Sequence, residues 1–285
     1  MITVYEKKNK LIYVYKKNKL AKIFYPEFDL NKTINLLKEI NQLRDSKNKN
    51  IYSAWSYKEY FFYPAIQEWI FYDYLVGVVT YNKAFKYLNG KKFKIVNEGP
   101  KNIGRFEKSY NFLYKRKTFL TRIIYNILTY LISFNTSLKD KILLSDDGVS
   151  GFRYKKLQTI LKRHSKYLRL EKLNSLSSIK KFKFTNNTNY YHGKLKLFYF
   201  KNNFNPHNVS NEIKSLINDR EFNLMLEAID IKCKDLIKQT IFFTKKTKIH
   251  KPRVLFCYDQ IETIIPIIVA FKINKIMSFS YQHGP

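Results

Sequence analysis

The stretch that decides the predicted fold is a strand–helix–strand pattern at residues 253–285. It reads RVLFCYD at residues 253–259 and, after an apolar run, IMSFSYQHGP at residues 276–285. Two short runs rich in aromatic and β-branched residues, separated by a helical segment, are typical of neighbouring strands in a parallel sheet. Because open α/β sheets bind ligands beyond the carboxyl ends of their strands, the loop after residue 281 is a candidate site.

Strand and helix signals alternate upstream of this pattern, from about residue 90 onward. Strands are predicted at residues 93–97 and 141–145, and helices at residues 154–170 and 211–243, the last with one break. Alternation of this kind is typical of parallel sheets. We therefore predict an α/β fold, a Rossmann-like open parallel sheet with helices on both faces, in a domain spanning residues 91–285.

The first 90 residues carry different signals. Apolar and polar residues alternate over residues 2–25, with Lys-Lys-Asn-Lys breaks at 7–10 and 16–19, which predicts a small β-meander. An amphipathic helix is predicted over residues 31–46, and a long aromatic helix over residues 65–88. The second helix is apolar nearly all round, which favours core packing over an aromatic binding box. Residues 1–90 are thus predicted to form an N-terminal domain of β-meander and helices.

The charge of the chain is strongly positive, at +31 from 53 Lys and Arg against 22 Asp and Glu. Such an excess favours polyanionic partners, whether nucleic acid, acidic lipid headgroups or nucleotide phosphates. Most of the basic residues are Lys, whereas Arg, which suits bidentate phosphate contacts, is scarce. Codon composition is the alternative explanation for the excess. Residues 155–169 and 244–253 are the most basic stretches, and they lack the aromatic interleaving of RNA-binding modules, so an anionic membrane surface is preferred to nucleic acid as a partner.

The cysteines, the histidines and the apolar segments indicate which compartment and which cofactors to expect. Cys233 and Cys257 have no short metal spacing and the five histidines are scattered, so no metal site and no cofactor are expected, and the thiols suit a reducing compartment. The longest apolar run, residues 119–134, carries polar residues and is shorter than a membrane span. The N-terminus lacks the apolar region of a signal peptide. These features predict a cytoplasmic protein that contacts the inner face of the membrane peripherally.

The loop after the last predicted strand contains Gln282, His283 and Gly284. A neutral imidazole is a competent base near neutral pH, and a glycine allows the backbone to turn tightly beside a ligand. The alternative interpretation is a surface histidine in a terminal segment.

Two further loops follow predicted strands and carry acidic residues. Asp146, Gly148 and Gly151 form a glycine-containing turn after the strand at 141–145, and Asp259 follows the strand at 253–258. The carboxylates suit sugar hydroxyls better than phosphates. The alternative is helix capping, with Asp259 as the N-cap of a helix over 261–273.

Residues 251–285 resemble the end of the N-terminal domain of GT-B-type glycosyltransferases of bacterial surface polysaccharide synthesis. This is the broad group of capsule, polysialic-acid and teichoic-acid polymerising transferases, in which a strand runs into a His-Gly loop facing the interdomain cleft. The resemblance implies that His283 is the base on the acceptor side, and that a nucleotide-activated sugar and a glycan acceptor are the substrates. It also implies substrate-binding roles for six residues: Asp146, Gly148, Gly151, Asp259, Gln282 and Gly284.

The chain departs from that group because no second Rossmann-like domain follows residue 285. In the group, the second domain carries most of the contacts to the nucleotide sugar. We therefore expect a truncated, acceptor-side domain that is inactive by itself. Two rival functions rest on the positive charge and the apolar helices: a basic nucleic-acid-binding protein, and a peripheral membrane protein without enzymatic activity.

Overall fold

A computed structural model gives a mixed α/β protein, which is the class predicted from the sequence. The residues it describes are 2–6, 11–25, 30–97, 138–146, 159–161, 163, 166–173, 188–192, 204–217, 219–258 and 264–281.

Thirteen strands are described, several of them only two residues long. They are β1 Ile2–Glu6, β2 Ile12–Lys16, β3 Lys19–Phe24, β4 Arg44–Asp45, β5 Ser56–Tyr57, β6 Tyr60–Phe61, β7 Phe93–Asn97, β8 Ile142–Asp146, β9 Tyr167–Leu173, β10 Thr188–His192, β11 Pro206–His207, β12 Val254–Tyr258 and β13 Met277–Tyr281. The helices with described bounds are α1 Leu30–Gln42, α2 Ile51–Ala54, α3 Pro64–Gln67, α4 Asp73–Leu88, α5 Asn211–Leu216, α6 Asp219–His250 and α7 Ile265–Ile273.

The chain divides into two compact units that do not follow one another in sequence. The first comprises the described residues within Met1–Ser56, Phe61–Lys117 and Phe200–Lys232, and the second comprises the remainder. Helix α6 contributes to the first unit up to Lys232 and to the second from Cys233. These units therefore differ from the two sequential domains that the sequence predicts, with their division at residue 90.

The first unit contains a four-stranded sheet in the order β3-β2-β1-β7. Strands β1, β2 and β3 form the antiparallel meander predicted from the alternating pattern. Val4, Ile12 and Val14 are buried on one face of the sheet and form a core cluster with Ala84 and Leu88 of α4. A helix thus covers this face because every second residue of the meander is apolar.

Strand β7 was predicted to open the second domain, but it belongs to the first sheet. It pairs with β1 in parallel, with Ile2 opposite Phe93 and Val4 opposite Ile95. Phe93 packs against the core cluster of Val4 and Ile12. A short apolar strand pattern carries no information about its partner, which is why the sequence placed this strand in the wrong sheet.

The aromatic segment after residue 50 forms the core of the first unit. The predicted helix over 65–88 is realised as α3, a π-helical turn at Glu68–Tyr72, and α4. Phe62, Tyr63 and Phe71 are fully buried, and Phe71 lies against Phe222 of α6 with ring centroids 5.9 Å apart. Core packing is therefore the correct interpretation of these aromatic residues.

A buried hydrogen bond links this aromatic core to α6. The indole Nε1 of Trp55 donates to Oδ1 of Asp230 at 2.8 Å, and both side chains are almost completely buried. The Trp55 ring also stacks on Tyr63 at 6.2 Å and contacts Phe204 at 5.7 Å. Burial of the carboxyl group is tolerated because the group is hydrogen-bonded.

The second unit is built on a five-stranded sheet in which every pairing is parallel, in the order β10-β9-β8-β12-β13. One face is covered by α6 and α7, and its buried cluster includes Leu143, Leu168, Leu255 and Phe271. On the other face, Leu144 and Tyr167 pack with Leu161. Burial of both faces explains why β8 and β12 are nearly continuous apolar runs.

Helix α7 is fixed to α6 by a side-chain amide at its C-terminal end. Nδ2 of Asn274 donates to the carbonyl oxygen of Thr244 at 2.8 Å and to Oγ1 of Thr247 at 2.6 Å. Thr247 is fully buried and its own hydroxyl donates to the carbonyl oxygen of Phe243 at 2.7 Å. The amide of Asn274 and the hydroxyl of Thr247 are therefore both hydrogen-bonded.

Two predicted helices differ from the structure. The helix expected at residues 154–170 ends before β9, because the helical spacing stops and Leu168 and Leu170 alternate with the opposite-facing Tyr167. The helix expected at 211–243 is broken once, as predicted, but α6 continues to His250. Residues 245–250 of the basic stretch predicted at 244–253 therefore belong to the end of this helix.

The hydrogen bond between Trp55 and Asp230 makes a measurable contribution to the free energy of unfolding. In a double-mutant cycle of Trp55→Phe and Asp230→Ala, we expect a coupling energy of about 1.5–3 kcal/mol, the range for a hydrogen bond to a charged group. Urea unfolding of the four proteins measures it. Additive effects of the two substitutions would contradict the bond.

Candidate functional site

The strand order of the parallel sheet reverses between β8 and β12. From β8 the chain adds β9 and then β10 on one side, and later adds β12 and then β13 on the other. In open α/β sheets the two sets of connections diverge at such a point and leave a crevice beyond the carboxyl ends of the strands. This edge of the sheet is the candidate site.

The carboxyl ends of three neighbouring strands are aligned at this edge. Ser145 is the register partner of Cys257, and Tyr258 is the partner of Tyr281. Neighbouring strands lie about 4.8 Å apart, so the ends of β8 and β13, on either side of β12, are separated by about 10 Å. Side chains from loops after these strands can therefore contact one small ligand.

The predicted site residues follow these strand ends in sequence. Asp146 is the last residue of β8, and only its backbone is described. The other six, Gly148, Gly151, Asp259, Gln282, His283 and Gly284, lie outside the described residues. The topology brings together the strand ends that precede them, while their roles stay predictions.

Helix capping by Asp259, the alternative interpretation of that residue, is not the arrangement at the start of α7. The helix begins at Ile265, and Ile264 occupies the N-cap position without a side-chain hydrogen bond. A capping side chain must stand directly before the first helical residue, and Asp259 is five positions too early.

Cys257 lies one residue before the end of β12, on the buried side of the sheet. Its exposed fraction is 1%, and its Sγ donates to the carbonyl oxygen of Phe279 at 3.4 Å. Burial raises the pKa of the Cys257 thiol to about 11, although a hydrogen bond with Ser280 opposes the shift. The thiol is therefore protonated at neutral pH, and it is a packing residue rather than a nucleophile.

A polar cleft of about 600 Å³ lies in the first unit, where the sequence predicted no site. It forms because β4 pairs with β11, which puts Arg44 opposite His207. The lining also includes Glu39, whose Oε2 accepts from Oγ of Ser210 at 2.7 Å. Guanidinium, imidazole and carboxyl groups in one cleft suit a hydroxylated polar ligand. No sequence motif signals it, because its two strands are only two residues long.

Residues 244–250 of the basic stretch predicted at 244–253 form the C-terminal end of α6, and residues 251–253 connect the helix to β12. Lys245, Lys248 and Ile249 are exposed, with 73% of Ile249 accessible. Positive charge at a helix C-terminus complements the helix dipole, which gives these lysines a structural explanation. Burial, with a smaller effect from Lys246, lowers the pKa of His250. Most of the other stretch, 155–169, lies outside the described residues.

The described segments contain neither a metal-ligand cluster nor a helix that could cross a membrane. There, no three His, Cys, Asp or Glu side chains are grouped as metal ligands. None of the described helices combines the length and apolar character that a membrane crossing needs. The apolar run at 119–134 lies outside the described residues.

Comparisons of the chain with models of protein families, with curated proteins and with solved structures found no match in any of the three.

Both cysteines are expected to resist thiol reagents in the native protein, because Cys233 and Cys257 are buried. Labelling with a chromogenic disulfide at pH 8 should be slow until denaturant is added. A Cys233→Ser variant isolates Cys257. Native labelling of that variant at the rate of a free thiol would contradict the burial of β12.

The raised pKa of Cys257 also predicts a pH dependence of stability. A thiol whose pKa is higher in the folded than in the unfolded state stabilises the fold below its ordinary pKa of about 8.5, and that contribution is lost as the pH rises towards 11. Urea unfolding of the native protein and of Cys257→Ala between pH 8 and 10 measures it. We expect the free energy of unfolding to fall less steeply in the variant.

Proposed function

We propose that the parallel sheet of the second unit is a Rossmann-like domain forming the acceptor side of a GT-B-type glycosyltransferase of surface polysaccharide synthesis. The observation that carries the proposal is the reversal of strand order between β8 and β12. Counted along the chain within the described strands of this sheet, the order is 3-2-1-4-5, which supports the proposal because it matches the first five positions of the 3-2-1-4-5-6 order of Rossmann-like domains. The resemblance of residues 251–285 to these enzymes supplies the reaction class.

The proposed reaction is transfer of a sugar from a nucleoside-diphosphate donor to a hydroxyl of a growing glycan. The imidazole of His283 takes the proton of the acceptor hydroxyl, and the acceptor oxygen forms the bond to the anomeric carbon. The bond from that carbon to the diphosphate breaks, and its electron pair leaves with the diphosphate. A base placed in this way contributes about 10²–10⁴-fold to the rate.

The acidic residues after the neighbouring strands position the acceptor in this proposal. Asp146 and Asp259 accept hydrogen bonds from sugar hydroxyls, and Gly148, Gly151 and Gly284 allow close approach of the backbone. The acceptor would be a surface glycan made at the inner face of the cell membrane.

Replacement of His283 by Ala tests the proposal. The full gene product is incubated with a panel of radiolabelled nucleotide sugars and surface glycan, and label entering polymer is measured. We expect His283→Ala to lower kcat by about 10²–10⁴-fold with little change in the donor KM. His250→Ala, at the C-terminal end of α6 and outside the predicted site residues, is the matched control and should keep full activity.

Two results would overturn the proposal. If no nucleotide sugar in the panel donates label to the glycan, the proposed transferase activity is wrong. If His283→Ala keeps full activity, the assignment of His283 as the base is wrong. Asp259→Asn gives an independent check of the acceptor side. Because the variant keeps one accepting oxygen, we expect a raised acceptor KM with a smaller loss of kcat.

A further inference from the structure

The hairpin of β2 and β3 concentrates positive charge at its tip. Lys17 and Asn18 connect the strands with φ angles of 50° and 61°, which is the left-handed backbone of a tight type I′ turn. Lys16, Lys17, Lys19 and Lys22 are all exposed. Residues 11–25 contain no Asp or Glu, and within the described part of the chain these four lysines form no ion pair.

The arrangement of two of these lysines is unfavourable in the isolated protein. Lys16 and Lys19 are register partners on adjacent antiparallel strands. Like charges directly opposite one another destabilise a sheet. A polyanionic surface facing the tip would remove this repulsion, so the placement is better suited to a bound state than to the free protein.

Exposed apolar and aromatic side chains lie beside the lysines. Leu20, next to Lys19, is 49% exposed, and Tyr87, at the end of α4, is 38% exposed. Lys22 Nζ lies 4.8 Å from the Tyr87 ring centroid. Lysines mixed with leucine and tyrosine are the composition of surfaces that lie in the headgroup region of a bilayer.

We propose that this tip, residues 16–22 with Tyr87, docks the protein on an anionic lipid bilayer. The lysines contact acidic headgroups, and Leu20 enters the boundary between headgroups and acyl chains. This surface is separate from the basic stretches selected from the sequence. The proposal does not require the transferase activity, since docking needs only the charge and the apolar side chain.

Nucleic acid fits the tip less well than a bilayer does. Residues 11–25 contain no Arg, the side chain best suited to bidentate phosphate contacts. Single-stranded nucleic acids also require open aromatic faces for base stacking. Lys91 Nζ lies 4.2 Å from the centroid of the Tyr87 ring, and Lys22 Nζ also lies over this ring. The faces of the ring are therefore not open to a base.

Vesicle co-sedimentation tests the proposal. The full chain is mixed with phosphatidylcholine vesicles that contain or lack phosphatidylglycerol, at low and at high salt. We expect binding only with phosphatidylglycerol, and weaker binding at high salt because the charges are screened. Each lysine near the surface strengthens binding about fivefold, so K16Q/K17Q/K19Q should weaken it about a hundredfold.

A variant with the same loss of charge elsewhere in the first unit provides the control. K38Q/K47Q/K214Q removes three exposed lysines from other elements and should bind nearly as well as the parent. The tip variant should unfold at the same or a higher temperature than the parent, since it removes the repulsion between Lys16 and Lys19. If the tip variant keeps this unfolding temperature, its weaker binding to vesicles is not caused by unfolding.

A Leu20→Asn variant distinguishes insertion of the Leu20 side chain into the bilayer from electrostatic attraction of the lysines to the headgroups. It should weaken vesicle binding roughly fivefold while the salt dependence is kept. The proposal is overturned if the parent does not bind anionic vesicles, or if the two triple variants lose binding equally. It is also overturned if single-stranded RNA binds more tightly than the vesicles and that binding is lost in K16Q/K17Q/K19Q. If the protein binds vesicles but transfers no sugar, the docking proposal stands and only the proposed transferase activity is contradicted.

Discussion

The second unit depends on the pairing of β8 with β12. Leu143 and Leu255 are register partners in this pairing, both are fully buried, and both belong to the cluster that includes Phe271 of α7. Parallel neighbours cannot be joined by a tight turn, so the chain must leave the sheet and return to it. Here it returns beside β8 only after β9 and β10 have been added on the other side. The reversal of strand order, and with it the candidate site, follows from this one pairing.

Local structure was predictable from the sequence where a periodic pattern was strong, and pairing partners were not. The meander of β1–β3 and the helical run from Pro64 to Leu88 follow directly from alternating and helical spacing of apolar residues. Phe93–Asn97 was recognised as a strand but assigned to the wrong sheet, because burial in either sheet requires the same residue types. Tyr167–Leu170 was assigned to a helix because Leu157, Ile160 and Leu161 before it have helical spacing. Only the core shows that Leu168 and Leu170 share one face of a strand.

The sequence predicted that the loops of the candidate site follow strands of one parallel sheet, but it did not predict which of those strands are neighbours. The polar loops after β8, β12 and β13 were selected because ligands bind beyond the carboxyl ends of parallel strands, and those three ends are adjacent in the sheet. The cleft beside Arg44 and His207 was not predictable in the same way. Its strands are too short to show a period, and its two halves come from distant parts of the sequence.

The charge of +31 has different physical explanations at different places. Lys245 and Lys248 end a long helix, where they stabilise it in the absence of any partner, so their presence requires no ligand. Lys16 and Lys19 do the opposite, because they face each other across two strands and weaken the hairpin that carries them. Lysines that destabilise the free protein are therefore the stronger indication of an anionic partner, even though the helix carries the more conspicuous basic run.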